Sequence, residues 1–412
     1  MQATLRILIL TQWYPPEPAL LLQELAQTLL ARGHDVTVLT GFPNYPSGML
    51  YPGYHVRLRQ REVLAGVPVV RVPLYPEHSR SGAGRMLNYV SFALSSALLG
   101  PWLLKRPDVI FVYHPPLTIG LPATLLSRLW RVPFVYQIQD MWPETLHATG
   151  MLRNERLLNL VSSFAQFVYA RASRIFVISP GFRRNLLDKG VPAEKVYVIS
   201  NWAEFEDGSL GEGDCELATS LGLAGRFNVM FAGNMGEAQG LETVIEAAAL
   251  LRDLPEVQFV LVGDGVASPR LKQAVQEKNL PNVRFLGRYP QQTMPSLYAL
   301  ADVLLVHLKN EPLFEITIPH KVLTYLGAGK PILAAVAGDA ASLVIEAGAG
   351  IACPPENPQA LCDAVRCLYS MSIEERQTLG EHGLQAAHTR FSRNELVGRM
   401  EAALQVAALR QW

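Results

Sequence analysis

A lysine in the first turn of a helix needs a reason, because the helix dipole disfavours a cation there. Lys321 stands in that place. An apolar, β-branched stretch meets Pro319, His320 and Lys321 open a helix, and Gly327 and Gly329 close it. Snorkelling to solvent would explain the lysine without any function. An anion held jointly by the helix N-terminus and the ammonium is the sharper reading. Further loops carry glycines at the ends of apolar runs, where backbone amides can approach a phosphate closely. Gly233, Asn234, Gly236 and Gln239 follow NVMFAG, and Gly263, Asp264 and Gly265 follow VQFVLV. Gly287 and Arg288 follow VRFL. Each loop alone is ordinary, since tight strand-to-helix turns use glycine for geometry. Together with the Pro-His-Lys helix start, they suggest a nucleotide diphosphate bound by the second half of the chain. The sequence has no GxGxxG and no GxxxxGK[ST], which lowers dehydrogenase and P-loop readings.

In the first half, the run FVYQIQ ends in Asp140, Met141, Trp142, Pro143 and Glu144. A polar group followed by Trp-Pro at a strand end is a poor fit to pure core, although Asp140 could simply cap the next turn. His114 follows DVIFVY and precedes two prolines. A lone histidine is more often structural than functional, so it stands as a second candidate facing a ligand.

These residues need elements to position them. The chain has 412 residues, enough for two or three domains, and its 49% hydrophobic and 17% charged content describes well-cored globular units. Lysine plus arginine equal aspartate plus glutamate at 36 each, which argues against a nucleic-acid partner but not against a local phosphate pocket. The cysteines, Cys215, Cys353, Cys362 and Cys367, form no CxxC pair. Neither a zinc site nor a disulfide framework is indicated, and a reduced, cytoplasmic protein is expected. The start, MQATLRILILTQWYPPEP, reads as a first strand rather than a signal peptide.

Strand and helix signals alternate nearly throughout, which predicts parallel sheets. LRILILT, DVTVLT, a hairpin turning at Gly66, DVIFVY, FVYQIQ, RIFVIS and VYVIS form a first series, with helices over about 17–32, from about Thr118, and over about 154–172. A second series runs through NVMFAG, VQFVLVG, VRFLG, DVLLVH, PILAA and GIACPP. The expected fold is α/β: two doubly wound, Rossmann-like domains facing a cleft. Their expected bounds are 1–203 for the first domain, 204–226 for a linker, 227–390 for the second domain and 391–412 for a C-terminal helix free to pack back on the N-terminal domain. In open α/β sheets ligands sit at the carboxyl ends of the strands. The uncharged run from Met86 to Leu104 approaches the length of a bilayer span. Gly100-Pro101 is expected to break it, so a core helix is favoured over membrane-surface contact.

The chain resembles the family 4 glycosyltransferases of the two-domain GT-B fold, and more narrowly bacterial enzymes of colanic acid and O-antigen synthesis. The resemblance rests on YPPEP, RGHDVTVLTGFPNYPSG (32–48), QDMWPETLHATGML (139–152), ISPGF (178–182) and NWAEFE (201–206) in the first half. In the second half it rests on GNMGEAQGLETVIEAA (233–248), LVGDG (261–265), ADVLLVH (301–307) and ITIPHKVLTYLGAGKPILAA (316–335). It implies that Lys321 faces the donor diphosphate, and that Glu315, Ile316, Thr317 and Thr324 lie in the donor motif. Two departures are visible. The family's paired glutamates are replaced by Ile316 and Thr324, with Glu315 a partial substitute, and its phosphate-loop Arg and Lys by Asn234 and Gln239. Likewise, 17–22 replace the usual Gly-Gly after the first strand.

The implied reaction is transfer from a nucleotide sugar, a UDP-sugar, to a hydroxyl of a lipid-linked saccharide, with retention and without a metal or other cofactor. The resemblance makes Lys321, with the loop at Gly233–Gly236, the stabiliser of the leaving phosphate. Asp140 or His114 would orient acceptor or sugar, and Arg288 with the Gly263–Gly265 loop would approach the base or ribose. A cytoplasmic location, with peripheral contact at the inner membrane, follows as an expectation. Competing readings are a nucleotide-sugar epimerase, a non-catalytic transferase homologue and an exported solute-binding protein.

Overall fold

The computed structural model describes residues 4–77, 82–148, 152, 154–203 and 214–409. Residues 149–151 of the QDMWPETLHATGML stretch, 204–206 of NWAEFE, the first part of the expected linker (204–213) and the final three residues lie outside them. The chain divides into two compact units, 1–200 with 396–412, and 201–395.

The first unit runs β1 (Arg6–Leu10), α1 (Leu20–Ala31), β2 (Asp35–Gly41), β3 (Gln60–Leu64), β4 (Val67–Val72), α2 (Gly82–Leu103), β5 (Val109–His114), α3 (Gly120–Trp130), β6 (Phe134–Ile138), α4 (Glu144–Ala148), α5 (Glu155–Arg171), β7 (Arg174–Val177), α6 (Pro180–Asp188) and β8 (Val196–Val198). Among the described residues its strands form one sheet in the order β3-β4-β2-β1-β5-β6-β7-β8. All neighbours are parallel except the β3–β4 hairpin, whose turn carries Gly66 at φ 84°. Strands such as RILIL and FVYQI read as near-continuous buried runs rather than alternating ones, because helices cover both faces of a parallel sheet.

The second unit contains α7 (Cys215–Leu221), β9 (Phe227–Ala232), α8 (Glu242–Leu250), β10 (Val257–Val262), α9 (Ser268–Glu277), β11 (Val283–Gly287), α10 (Met294–Ala299), β12 (Val303–His307), α11 (Pro312–Glu315), α12 (His320–Gly327), β13 (Ile332–Ala335), α13 (Asp339–Glu346), β14 (Gly350–Cys353), α14 (Pro358–Ser370) and α15 (Ile373–Arg390). Its parallel sheet has the order β11-β10-β9-β12-β13-β14. Both sheets reverse direction once, between β1 and β5 and between β9 and β12. A doubly wound sheet opens a crevice at such a switch point, at the carboxyl ends of its strands.

A last helix, α16 (Arg393–Leu409), returns to the first unit from Leu396 onward. Its buried Glu401 accepts from Arg32 at 2.7 Å and pairs with His34 at 2.9 Å, both just after α1.

Two expectations are corrected. Gly100-Pro101 does not break the 86–104 run: α2 continues to Leu103. Pro101 removes only one ladder bond so close to the end, and Leu104 still donates to the Gly100 carbonyl at 3.1 Å. Part of the segment read as linker belongs to the second unit. Asp214 caps α7 by accepting from Glu216 and Leu217 at 2.9 and 3.0 Å, Gly222 closes it in the left-handed region, and Leu223 is buried.

Candidate functional site

In the second unit, β9 ends in an exposed Gly233 with φ 140° and β12 ends in a fully buried His307, so the two flank the switch point. Helix α12 begins nearby, after Pro319. Lys321 Nζ is sealed from solvent although its stem is part exposed, and it has no hydrogen-bond partner among the described residues. It lies 3.8 Å from the Phe231 ring centroid, and a Cβ placed on Gly233 would sit 3.1 Å from it. Burial lowers its pKa from 10.5 to about 7. An aromatic face offsets part of the desolvation of a buried ammonium, on the order of 0.5–2 kcal/mol. A lysine held there without a counter-charge among the described residues, next to helix amides, could take up the charge of an anion.

The remaining candidates spread around this point. Gln239 Oε1 accepts from the Gly236 amide at 3.0 Å, shaping the loop after β9, and Asn234 is exposed beside it. The missing Cβ atoms of Gly263 and Gly265 would lie 2.0 Å from the Gly233 carbonyl oxygen and 2.4 Å from that of Met235. What those glycines admit is the neighbouring loop, which Met235 ties down by donating to the Asp264 carbonyl at 3.0 Å. Asp264 and Arg288 are exposed and face each other at 3.9 Å. Glu315 is exposed, with its carbonyl packed on Gly338, where an added Cβ would fall 1.8 Å away. Ile316 is part-buried and Thr317 donates to the Leu313 carbonyl at 2.7 Å. Thr324 is buried on α12, within 3.4 Å of both the carbonyl and Nδ1 of His320.

The first unit builds a different surface at its own switch point. His114 closes β5, is buried, and has both ring nitrogens without a hydrogen-bond partner among the described residues. Burial drives its pKa down to about 3, so the ring is neutral at working pH, able to donate one hydrogen bond and accept another. Trp142 and Tyr136 rings stand 5.8 Å from it. Asp140 follows β6, and burial raises its pKa to about 6, leaving it mostly ionised at neutral pH. Trp13 stacks near Tyr45 at 4.7 Å and Tyr89 at 6.4 Å, and Tyr89 reaches Trp142 at 6.5 Å. Aromatic faces around a few placed polar groups suit a ligand of mixed polarity.

Glu17 props this wall. Its buried carboxylate accepts from the amides of Tyr14, Asn44 and Tyr45 at 3.1, 2.9 and 2.9 Å, and burial still raises its pKa to about 7. Reading the sequence singled out Lys321, Asp140 and His114 but missed Glu17, Trp13, Tyr45, Tyr89, Phe231 and His307. Two of these carried a signal: a glutamate where glycines were expected, and a histidine ending an apolar strand. His307 is tied by Nδ1 to the Gln239 carbonyl at 2.6 Å, and burial lowers its pKa. The aromatic residues carried none, because only the fold brings β1, β2, α2 and β6 together.

Comparison with known proteins shows the family of both halves of the chain. A glycosyl transferase 4-like domain matches residues 19–202, and a glycosyl transferases group 1 domain matches 226–371. WcaI of Escherichia coli (strain K12), named for colanic acid biosynthesis, is 30% identical over 356 residues, covering 83% of this chain and 86% of that protein. The glycosyltransferase WbjE of Pseudomonas aeruginosa is 28% identical over 70% of this chain and 72% of its own length. The solved structure of Anabaena HepE in complex with UDP and glucose superposes with a TM-score of 0.70 at 21% identity, covering 97% of this chain and 99% of that one.

Proposed function

This chain belongs to the GT-B glycosyltransferases, and from that membership we propose retaining transfer of a sugar from a UDP-sugar to a hydroxyl of a lipid-linked saccharide. The observation that carries the proposal is Lys321: a buried ammonium without a counter-charge among the described residues, at the start of α12 and beside an exposed Gly233. The diphosphate supplies that counter-charge. HepE, which has the same fold, is solved with UDP and glucose, and this supports uracil as the first base to test. Relatives named for polysaccharide synthesis support a saccharide acceptor.

In the step proposed, the bond from the anomeric carbon to the β-phosphate oxygen breaks and the electron pair leaves with UDP. The acceptor oxygen bonds to the same face of that carbon, and its proton passes to the departing phosphate. Lys321 and the α12 amides stabilise the charge that develops on UDP, which is where preorganised electrostatics lower a barrier most. The positive charge is assigned to these groups and not to a metal ion, so turnover should survive chelator. Asp140 accepts a hydrogen bond from a sugar or acceptor hydroxyl, and neutral His114 offers one donor and one acceptor. A lipid-borne acceptor places the reaction at the cytoplasmic face of the inner membrane.

Calorimetry of UDP, GDP and ADP against wild type and Lys321→Ala tests the reading. UDP should bind, and the substitution should weaken it by about 1.5–3 kcal/mol, the value of a charge-assisted contact. Binding of no nucleotide, or equal binding by the variant, would overturn it.

A further inference from the structure

Helix α2 turns Asn88, Tyr89, Phe92, Ala93, Ser96, Gly100 and Leu103 into the first unit. An ordinary surface helix is polar on the opposite face. This one is not. Met86, Val90, Leu94, Leu98 and Trp102 recur every four residues on the exposed side, with Leu87 beside them, and Leu98 and Trp102 are 69% and 86% exposed. No charged residue lies between Arg85 and Lys105. Helix α3 packs against α2, where Leu126 would meet a Cβ on Gly100 at 3.2 Å, and it exposes Leu125 and Leu129 as well. A contiguous exposed apolar surface on a folded protein marks a contact with something apolar.

The charge around it says with what. From residue 82 to 139 the basic residues are Arg85, Lys105, Arg106, Arg128 and Arg131, and the single acidic one is Asp108, which is bonded to the Arg6 amide at 2.7 Å. A chain with no net charge has therefore placed a nearly acid-free segment on its apolar face. At the end of α2 a cavity of about 580 Å³ opens beside Trp102, edged by Arg6, Arg61, Lys105 and Arg106. Its acidic members are Asp35 and Glu62, and Glu62 is held by Arg71. No helix among the described residues is long and apolar enough to cross a membrane. A second copy of the chain would set the same basic rim against itself. An anionic bilayer satisfies both parts of the surface, apolar side chains entering the acyl boundary and the basic rim meeting headgroups.

The geometry points to the exposed face of α2, with the end of α3 and the basic cavity at Trp102, as a docking surface for an anionic lipid bilayer. It deepens the lipid-borne acceptor of the proposed function and rests on that reading for its purpose, while its evidence is independent of the donor site. The test is sedimentation of the full chain with extruded phosphatidylcholine vesicles, with and without about one-third phosphatidylglycerol. Wild type should bind the anionic vesicles and not the neutral ones, more weakly as salt rises. Leu98→Glu/Trp102→Glu and Lys105→Gln/Arg106→Gln should each reduce binding by about tenfold or more. Both variants should keep the wild-type circular dichroism and thermal melt, which checks that the first unit folds. Tryptophan emission should shift to the blue on anionic vesicles and lose most of that shift in Trp102→Phe. Equal vesicle binding by wild type and variants, or no binding by wild type, overturns the inference. So does a wild-type dimer in sedimentation velocity that Leu98→Glu/Trp102→Glu abolishes. If vesicles bind and UDP does not, the donor reading fails and the docking surface stands.

Discussion

Binding of UDP should carry a proton onto Lys321, and its amount follows from the burial of that residue. Free, the ammonium has a pKa near 7 against an ordinary 10.5, a penalty on its charge of about 5 kcal/mol. A phosphate charge about 4 Å away returns about 4 kcal/mol at an effective dielectric of about 20, enough to bring the pKa back to about 10. At pH 8 the free lysine is about one-tenth protonated and the bound one nearly fully so, giving an uptake of about 0.9 proton. The same arithmetic gives about 0.5 at pH 7 and about 0.1 at pH 6. Calorimetry of UDP in buffers of different ionisation enthalpy reads this number, and subtracting Lys321→Met removes the nucleotide's own titration. The difference should fall from pH 8 to pH 6, while wild-type affinity weakens as pH rises above 7. An uptake difference near zero at pH 8 would show that Lys321 is not the group meeting the diphosphate.

The same burial predicts that Lys321→Met stabilises the second unit, by about 1–3 kcal/mol below pH 7. A base with a depressed folded pKa costs its full penalty below that pKa and is relieved as pH rises to its unfolded value. The gain in melting temperature should therefore shrink towards pH 10. Glu17→Gln turns an amide towards the Tyr14 N–H if its oxygen keeps Asn44 and Tyr45, so thermal melts should show a loss of about 1–3 kcal/mol. With a folded pKa raised to about 7, wild-type Glu17 contributes stability that is full below pH 4.5 and lost as pH passes 7; the variant should lack this slope. Glu401→Ala removes the buried carboxylate that Arg32 and His34 share, and the stability of the first unit in denaturant unfolding should fall by about 3–5 kcal/mol. Asp140→Asn should abolish the acid limb of kcat/KM near pH 6 and leave UDP affinity unchanged.

The elements themselves were legible locally. Runs such as RILIL, FVYQI and NVMFA are mainly apolar rather than alternating because both faces of a parallel strand are covered, and that composition is visible without knowing the partner strands. The start of α12 was equally plain, since proline before a helix and glycine after it are local signals. One such signal, weighed without its neighbours, misled. Gly100-Pro101 looked like a stop because a proline's cost depends on how much helix follows it, and only two residues do. At Gly263 and Gly265 a glycine announces close approach without naming everything that approaches. Here the backbone of the neighbouring loop does so.

The order of residues thus determined two α/β units, a lysine at a helix start and glycines at the strand ends. Strand order was left to the tertiary structure, and with it the switch points that set Gly233 near Lys321 and His114 near Trp142. Burial was decided there too. Sequence shows that residue 321 is basic; only the packing of Phe231 and the seal around Nζ make it an ammonium with a pKa near 7 and no partner. The exposed face of α2 is the same case in reverse, because an apolar run does not say which of its sides the sheet will cover. Desolvation depends on three-dimensional neighbours, and those are not written in the spacing of residues along a chain.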